Sequence, residues 1–328
     1  MSLRHCAYSN RFVLTARFVG PTLAGDMKTR VFVAVFAGMV WAFLLSACAQ
    51  QKRPAITGIA FARFYASDPA ASQHFYGDTV GLKKMSEGAR SVYPVNASQW
   101  VEWVPLTDPS LHSRMAAIGF TTRDAKALQR YLTEHHVAIA EPLKDGMFAV
   151  HDPDGYLVYF VQTGSNRAVA KAAPSANATS SRIIHVGHVV RDKAAEDAFY
   201  RELLGFKPYW HGGRTDGRDD WVSSQVPDGT DWIEYMLHIP AEASLKSVGV
   251  QDHFSLGTEN MDTVVAKLKA NGCTDAVCSK TQIGLDGKMQ LNLYDPDLSR
   301  LEYMEFSPRR KPCCSDFTGP QPTAIENK

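Results

Sequence analysis

The strongest constraint on this chain is that its pattern occurs twice. Residues 56–68 (ITGIAFARFYASD) and 184–192 (IHVGHVVRD) are alternating, β-rich runs that each end in Asp. Each leads into a helical stretch closing on Phe-Tyr and then a Gly: Phe75-Tyr76 and Gly81, then Phe199-Tyr200 and Gly205. Asp is a good helix N-cap and Gly a good helix stop, so the order predicts strand, helix, turn. The pairs Asp68/Asp192, Tyr76/Tyr200 and Gly81/Gly205 share one offset of 124 residues. Farther on, QWVEWV at 99–104 matches DWIEYM at 231–236, offset 132, and MAAIGFTTRD at 115–124 matches HFSLGTENMD at 253–262, offset 138. Asp152-Pro153-Asp154 matches Asp295-Pro296-Asp297 at offset 143. The offset grows only between elements, as insertions in hairpin loops make it do. Each copy reads as strand–helix–strands followed by a second strand–helix–strands, with second helices at 124–135 and 262–271.

Two units suit a chain of 328 residues, since domains average roughly 150. The 35 Lys+Arg almost cancel the 34 Asp+Glu, which excludes the concentrated basic footprint of a nucleic-acid binder. A hydrophobic content of 45% excludes disorder.

Ahead of the repeats lies an uncharged apolar run of 17 residues at 31–47, preceded by the basic stretch Met27-Lys28-Thr29-Arg30. These are the n- and h-regions of a secretory signal. The run sits at the short edge of what spans a membrane, so a transmembrane anchor is the weaker reading. It closes on Leu45-Ser46-Ala47-Cys48, which resembles the bacterial lipobox. That resemblance implies a leader over 1–47 (with Met27 the expected start) and lipid on Cys48. Because Ala49 rather than Asp follows, the expected location is the outer membrane, facing the periplasm. Each buried acyl CH₂ contributes about 0.8 kcal/mol to such an anchor. Cys6 leaves with the leader. Cys273, Cys278, Cys313 and Cys314 stay and allow three pairings, and without a Cys-x-x-Cys spacing a zinc ribbon is not expected.

The doubled βαβββ pattern, the Phe-Tyr…Gly after each first helix and the Asp-Pro-Asp turn before each last strand resemble the vicinal oxygen chelate superfamily. That group contains glyoxalase I, bleomycin-resistance proteins and extradiol dioxygenases. The resemblance implies an α+β fold of two tandem domains, at 55–163 and 183–307, each a pair of βαβββ modules forming a curved mixed-sheet cradle. Between them, 164–182 (GSNRAVAKAAPSANATSSR) reads as an Ala/Ser-rich linker, and 308–328 as a tail without a patterned core face.

In this superfamily a cradle holds one divalent metal on its first, fourth, fifth and last strands. Carried over position by position, the resemblance implies His185, Glu234, His253 and Glu302 as ligands, with Glu234 or Glu302 as a general base. Imidazole and carboxylate suit Fe(II), Mn, Ni, Co or Zn. The matching positions of the first copy are Phe61, Glu102, Met115 and Tyr159, so the first domain is expected to be metal-free. His188, three residues from His185, is expected on the opposite face, because side chains alternate along a strand. Asn292 and the Gly-rich hairpin carrying His211, Arg214 and Arg218 are possible neighbours of the pocket. Trp100 and Trp232 are expected in the core.

An open metal in such a cradle chelates vicinal oxygens of a small-molecule substrate. The first reading is redox-neutral proton transfer of the glyoxalase or epimerase kind. The alternative is Fe(II)-dependent extradiol ring cleavage, favoured by a metal-free first domain followed by a metal-bearing second. Against it, Asn292 stands where that branch carries a Tyr, and its acid–base His is not evident, which tips the sequence toward the first reading. A second alternative is a ligand-sequestering protein, disfavoured by the intact ligand set. If lipid at Cys48 is the membrane tether, Cys48→Ser moves the protein to the soluble fraction on cell fractionation; a variant that stays membrane-bound places the tether elsewhere.

Overall fold

The computed structural model describes residues 52–172 and 175–324, so the leader and Cys48 lie outside the described residues. Within them no helix is long and apolar enough to cross a membrane. The first repeat contributes β1 (Ile56–Ala66), β2 (Met85–Glu87), β3 (Arg90–Pro94), β4 (Trp100–Pro105), β5 (Met115–Thr122), β6 (Ile139–Lys144), β7 (Met147–His151) and β8 (Leu157–Gln162). The second contributes β9 (Ile183–Val189), β10 (Lys207–Gly212), β11 (Trp221–Gln225), β12 (Trp232–Met236), β13 (His253–Thr258), β14 (Thr281–Ile283), β15 (Met289–Tyr294) and β16 (Arg300–Glu305). The sheets run β2-β3-β4-β1-β5-β8-β7-β6 and β10-β11-β12-β9-β13-β16-β15-β14, one order used twice. In each, the first strands of the two modules lie antiparallel at the centre, each flanked by a parallel partner.

Local chemistry sets the elements. The Asp68 carboxylate accepts the Ala70 and Ala71 amides, and Pro69 opens the helix where a missing N–H costs nothing. Asp192 does the same for Ala195. Both helices widen into a π-turn, at His74–Thr79 and Asp197–Leu203. The chain then turns at Gly81 and Gly205, with φ of 78° and 77°, a region glycine enters without penalty. The second helices are Ala125–Glu134, capped by Asp124, and Met261–Ala270, capped by Asn260. Asp262 therefore lies inside the first turn rather than at its cap.

One face of both sheets feeds a single apolar core shared by the repeats. The other faces carry separate small clusters, around Phe61, Trp100 and Tyr159 in the first repeat and Tyr209, Trp232 and Met304 in the second. Gln99 and Asp231, which hold matching positions, meet where β1 passes β9. Gln99 Nε2 donates to the Ile59 and Ile183 carbonyls at 3.0 and 2.9 Å, and its Oε1 accepts the Ile183 amide at 2.8 Å. Asp231 accepts the Ile59 amide at 3.0 Å and the Arg182 guanidinium at 2.6 Å.

The Asp-Pro-Asp turns are exchanged between repeats. Tyr76 donates to Asp295 at 2.9 Å and the Ser67 amide to Asp297 at 2.9 Å. Reciprocally, Tyr200 donates to Asp152 at 3.2 Å and the Arg191 amide to Asp154 at 2.7 Å.

The segment 164–182 is more structured than its composition suggests. It holds a short helix, Arg167–Lys171, whose Val169 packs into the first repeat's outer cluster. Thr179 bonds the Tyr303 hydroxyl at 2.7 Å, and Arg182 is fully buried. The tail wraps the second sheet: Phe317 packs on Tyr209, and Gln321 accepts from Lys288 and Tyr209 at 2.6 and 2.7 Å. The cysteines pair as Cys273–Cys278 and Cys313–Cys314. Arg182 and Asp231 are 1% and 2% exposed, and truncating one partner strands the other charge. Asp231→Ala is therefore expected to cost about 3–5 kcal/mol in denaturant unfolding; a loss below about 1 kcal/mol would place the join elsewhere.

Candidate metal centre

β12, β9, β13 and β16 are consecutive neighbours in the second sheet. Their register aligns Trp232, His185, Ser255 and Glu302 as one row, with Asn292 of β15 beyond Glu302. His253 sits one step along, opposite Gly187. His185 Nε2 lies 3.0 Å from His253 Nε2 and 3.1 Å from Glu302 Oε2, and His253 Nε2 lies 3.8 Å from the same oxygen. All three residues are buried.

Burial pushes the His185 imidazole below its usual range, and burial together with Arg300 pushes His253 well below it. His253 Nδ1 donates to the Gln251 carbonyl at 2.6 Å, which fixes the tautomer and leaves a lone pair on Nε2. Burial opposes ionisation of Glu302, but Arg300 and His185 overcome it and hold the carboxyl below the usual range. Two imidazoles with depressed basicity and one carboxylate thus bring their ligating atoms together. This donor set fits a divalent first-row cation.

Glu234 stands at the edge of this set, with its nearest oxygen 3.9 Å from His253 Nε2. Ser223 donates to its other oxygen at 3.2 Å. Burial, reinforced by the Glu302 charge, pushes the Glu234 carboxyl up to about 8. Environment therefore drives the two carboxyls apart, the arrangement that separates an acid from an anion. Both border a cavity of about 380 Å³ with Arg300 and Asn292, under walls that include Trp210 and Trp221. Arg300 donates to His253 Nε2 at 2.9 Å and lies 3.5 Å from Glu302. The same Nε2 lone pair cannot serve both Arg300 and a metal. Of the hairpin residues, Arg214 reaches this cavity and stacks over Trp221, whereas His211 pairs with Asp219 and Arg218 with Asp220. Trp232 is buried and stacks on His185.

The first repeat fills the matching place. Phe61 stacks on Trp100, and the Arg63 guanidinium lies over the Phe61 and Tyr159 rings. Arg63 donates to Glu102 at 2.5 Å and to the Tyr159 hydroxyl at 3.1 Å. Met115, which holds the position matching His253, is buried but packs into the shared core instead. Glu102 is thus the counter-ion of an arginine. Arg63 occupies the position that is Gly187 in the second repeat. A Cβ on Gly187 would lie 2.0 Å from the His253 ring, so glycine is required for His253 to lie there. Gly187, Ser255 and Arg300 escaped the sequence reading; a glycine inside a β-branched strand was the available signal for the first.

Residues 58–160 and 182–303 match the Glyoxalase/Bleomycin resistance protein/Dioxygenase superfamily. The chain belongs to this superfamily. No curated protein matches it. Among solved structures, it is similar to homoprotocatechuate 2,3-dioxygenase from Arthrobacter globiformis, with 16% identity, TM-score 0.57, and 77% of this chain and 80% of that chain covered. The 2,3-dioxygenase LapB from Pseudomonas sp. KL28 matches with 14% identity, TM-score 0.57, and 80% and 97% covered. A substrate complex of homoprotocatechuate 2,3-dioxygenase from Brevibacterium fuscum with 3,4-dihydroxyphenylacetate matches with 17% identity, TM-score 0.56, and 82% and 83% covered. At these identities the likeness shows the fold.

If His185, His253 and Glu302 hold the metal, His185→Ala, His253→Ala and Glu302→Ala each empty the site by elemental analysis, and Phe61 or Tyr159 substitutions leave metal content unchanged. Gly187→Ala, which touches no metal, is expected to weaken binding by at least the about 10–100-fold that follows loss of an outer support. Undiminished affinity in Gly187→Ala would show that His253 is not a ligand.

Proposed function

We propose that the second repeat is an Fe(II)-dependent centre for extradiol-type cleavage of a small catecholic ring. The observation that carries this reading is the set His185, His253 and Glu302, two imidazoles and one carboxylate converging beside an open cavity. Two His and one carboxylate with open positions are the ligand set of non-haem Fe(II) oxygenases. Glu234 lies outside that cluster, and a four-ligand glyoxalase-type site would need it inside. The plugged first repeat and the similarity to ring-cleaving dioxygenases point the same way. The proposed setting, resting on lipid at Cys48, is the periplasmic face of the envelope, where cytosolic thiol adducts are poor substrates.

When bound, the metal supplies Lewis acidity toward two vicinal oxygens and the redox chemistry that ring cleavage requires. The residues do the rest. Trp210, Trp221, Ile283 and Leu285 give the cavity walls against which a flat ring can lie. Arg300, once released from His253, presents its guanidinium to substrate anionic oxygens. Ser223 donates to Glu234 Oε1, leaving Oε2 to carry the proton. With its carboxyl pushed up by burial and by the Glu302 charge, Glu234 is the group placed to take or return a proton at the substrate. Among the described residues no histidine lines this cavity.

A second reading, redox-neutral proton transfer, is kept alive by that same Glu234 and by Asn292 at the pocket edge. The test is oxygen uptake by Fe(II)-loaded protein given catechols such as 3,4-dihydroxyphenylacetate. One O₂ consumed per ring opened is expected. Full metal occupancy without oxygen uptake across a catechol panel would move the assignment to the redox-neutral class. Glu234→Gln is expected to keep its metal and lose about 10²–10⁴-fold in turnover; a variant that loses its metal instead would make Glu234 a ligand.

A further inference from the structure

A second convergence of ligating groups lies on the other face of β9. His188 points there, and two carboxylates from different repeats reach it: Asp152, from the turn after β7, and Glu196, from the helix after β9. Their ligating atoms all lie within 4.8 Å of one another. His188 and Glu196 are fully buried and Asp152 is 4% exposed. Part of the polar surface is accounted for. Asp152 accepts the Tyr156 amide at 2.8 Å and the Tyr200 hydroxyl at 3.2 Å, and Glu196 Oε1 accepts the Asp154 amide at 2.9 Å. The remainder is orphaned. Among the described residues, both His188 ring nitrogens, Glu196 Oε2 and the Tyr235 hydroxyl have no hydrogen-bond partner. His188 Nε2 and Glu196 Oε2 lie 4.0 Å apart, within ion-pair reach but too long for a hydrogen bond.

The repeat supplies its own control. The positions matching His188, Glu196, Asp152 and Tyr200 are Phe64, Ser72, Asp295 and Tyr76. The tyrosine–aspartate bond is present in both places. The imidazole and the second carboxylate are present in one. Phe64 and Ser72 show that packing alone is satisfied without them. Asp252, also buried, faces the same imidazole but is saturated by Ser113, the Val189 amide and the Tyr156 hydroxyl. The pocket therefore gathers acidic groups around one imidazole. Buried polar groups left unpaired cost several kcal/mol unless water or an ion answers them.

We propose that Asp152, His188 and Glu196 form a second divalent-cation site, zinc first among candidates, that clips the two repeats together. A cation held by this set would draw the ligating atoms, now all within 4.8 Å of one another, inward to bonds of about 2.0–2.2 Å. One nitrogen and two oxygens suit zinc or manganese, and complete burial leaves no place for substrate, so the role is structural. The site shares no residue with the His185 centre and does not depend on the function proposed for it.

The test uses the full chain, stripped by chelator and re-equilibrated with Zn²⁺. Two equivalents are expected in the wild type, and one in His185→Ala/His253→Ala, where only the second site remains. Adding Zn²⁺ to that double variant is expected to raise its unfolding temperature. His188→Phe, which installs the residue of the first repeat, is expected to lower the wild-type count to one. Glu196→Gln, nearly isosteric, reads the same loss should His188→Phe fold poorly. A single equivalent in the wild type that persists in Glu196→Gln, or no binding by the double variant, overturns the proposal.

Discussion

The hydrogen-bonded bridge of Gln99, Asp231 and Arg182 is the constraint on which the rest of the structure depends. It lies where the first strand of one repeat passes the first strand of the other. Gln99 satisfies backbone groups of both strands at once, and Asp231 ties a strand amide to a buried guanidinium. Such groups are costly to bury and contribute geometric definition more than net stability. Slippage of either strand by one residue would leave this whole set unpaired and turn His185 away from its partners. The metal-type cluster inherits its alignment from that fixed register.

The two cradles answer the same electrostatic problem differently. Each keeps an acidic residue on its fourth strand. In the first repeat a guanidinium built into the chain neutralises it, with aromatic rings closing around the cation. In the second, the arginine's position is glycine, and two imidazoles and a carboxylate take the space it releases. A single backbone position therefore decides whether the central strand brings its own positive charge into the cradle. Arg300 enters the second cradle from another strand and reaches the ligands from the cavity side, so its charge can leave.

Much of this was legible in the sequence. The repeats were legible because caps, stops and the Asp-Pro-Asp turns obey local rules and recur at stepwise offsets; His185, His253 and Glu302 came from the superfamily resemblance, carried over position by position. Glu234 borders the cluster without joining it, a distinction that no spacing encodes. Arg300 and Ser255 were invisible because their importance arises from strand pairing between segments far apart in sequence. The order of segment 164–182 and of the tail was not legible, since it comes from single specific contacts, such as those of Thr179 and Gln321, rather than from a periodic apolar face. His188 was placed on the correct face, but its company includes a carboxylate from the other repeat.

The exchange of Asp-Pro-Asp turns bears on how the chain reaches this state. Each turn finds its hydroxyl partner only on the opposite repeat, and both repeats share one apolar core, so neither half can complete its packing alone. Contacts this distant in sequence slow folding, because loop entropy is lost before burial compensates for it. The final residues add to the delay: buried Lys288 meets Gln321 only after nearly the whole chain has emerged. Two copies of an ancestral unit have here become one cooperative folding unit, in which an early-synthesised half waits, incompletely buried, for the late one.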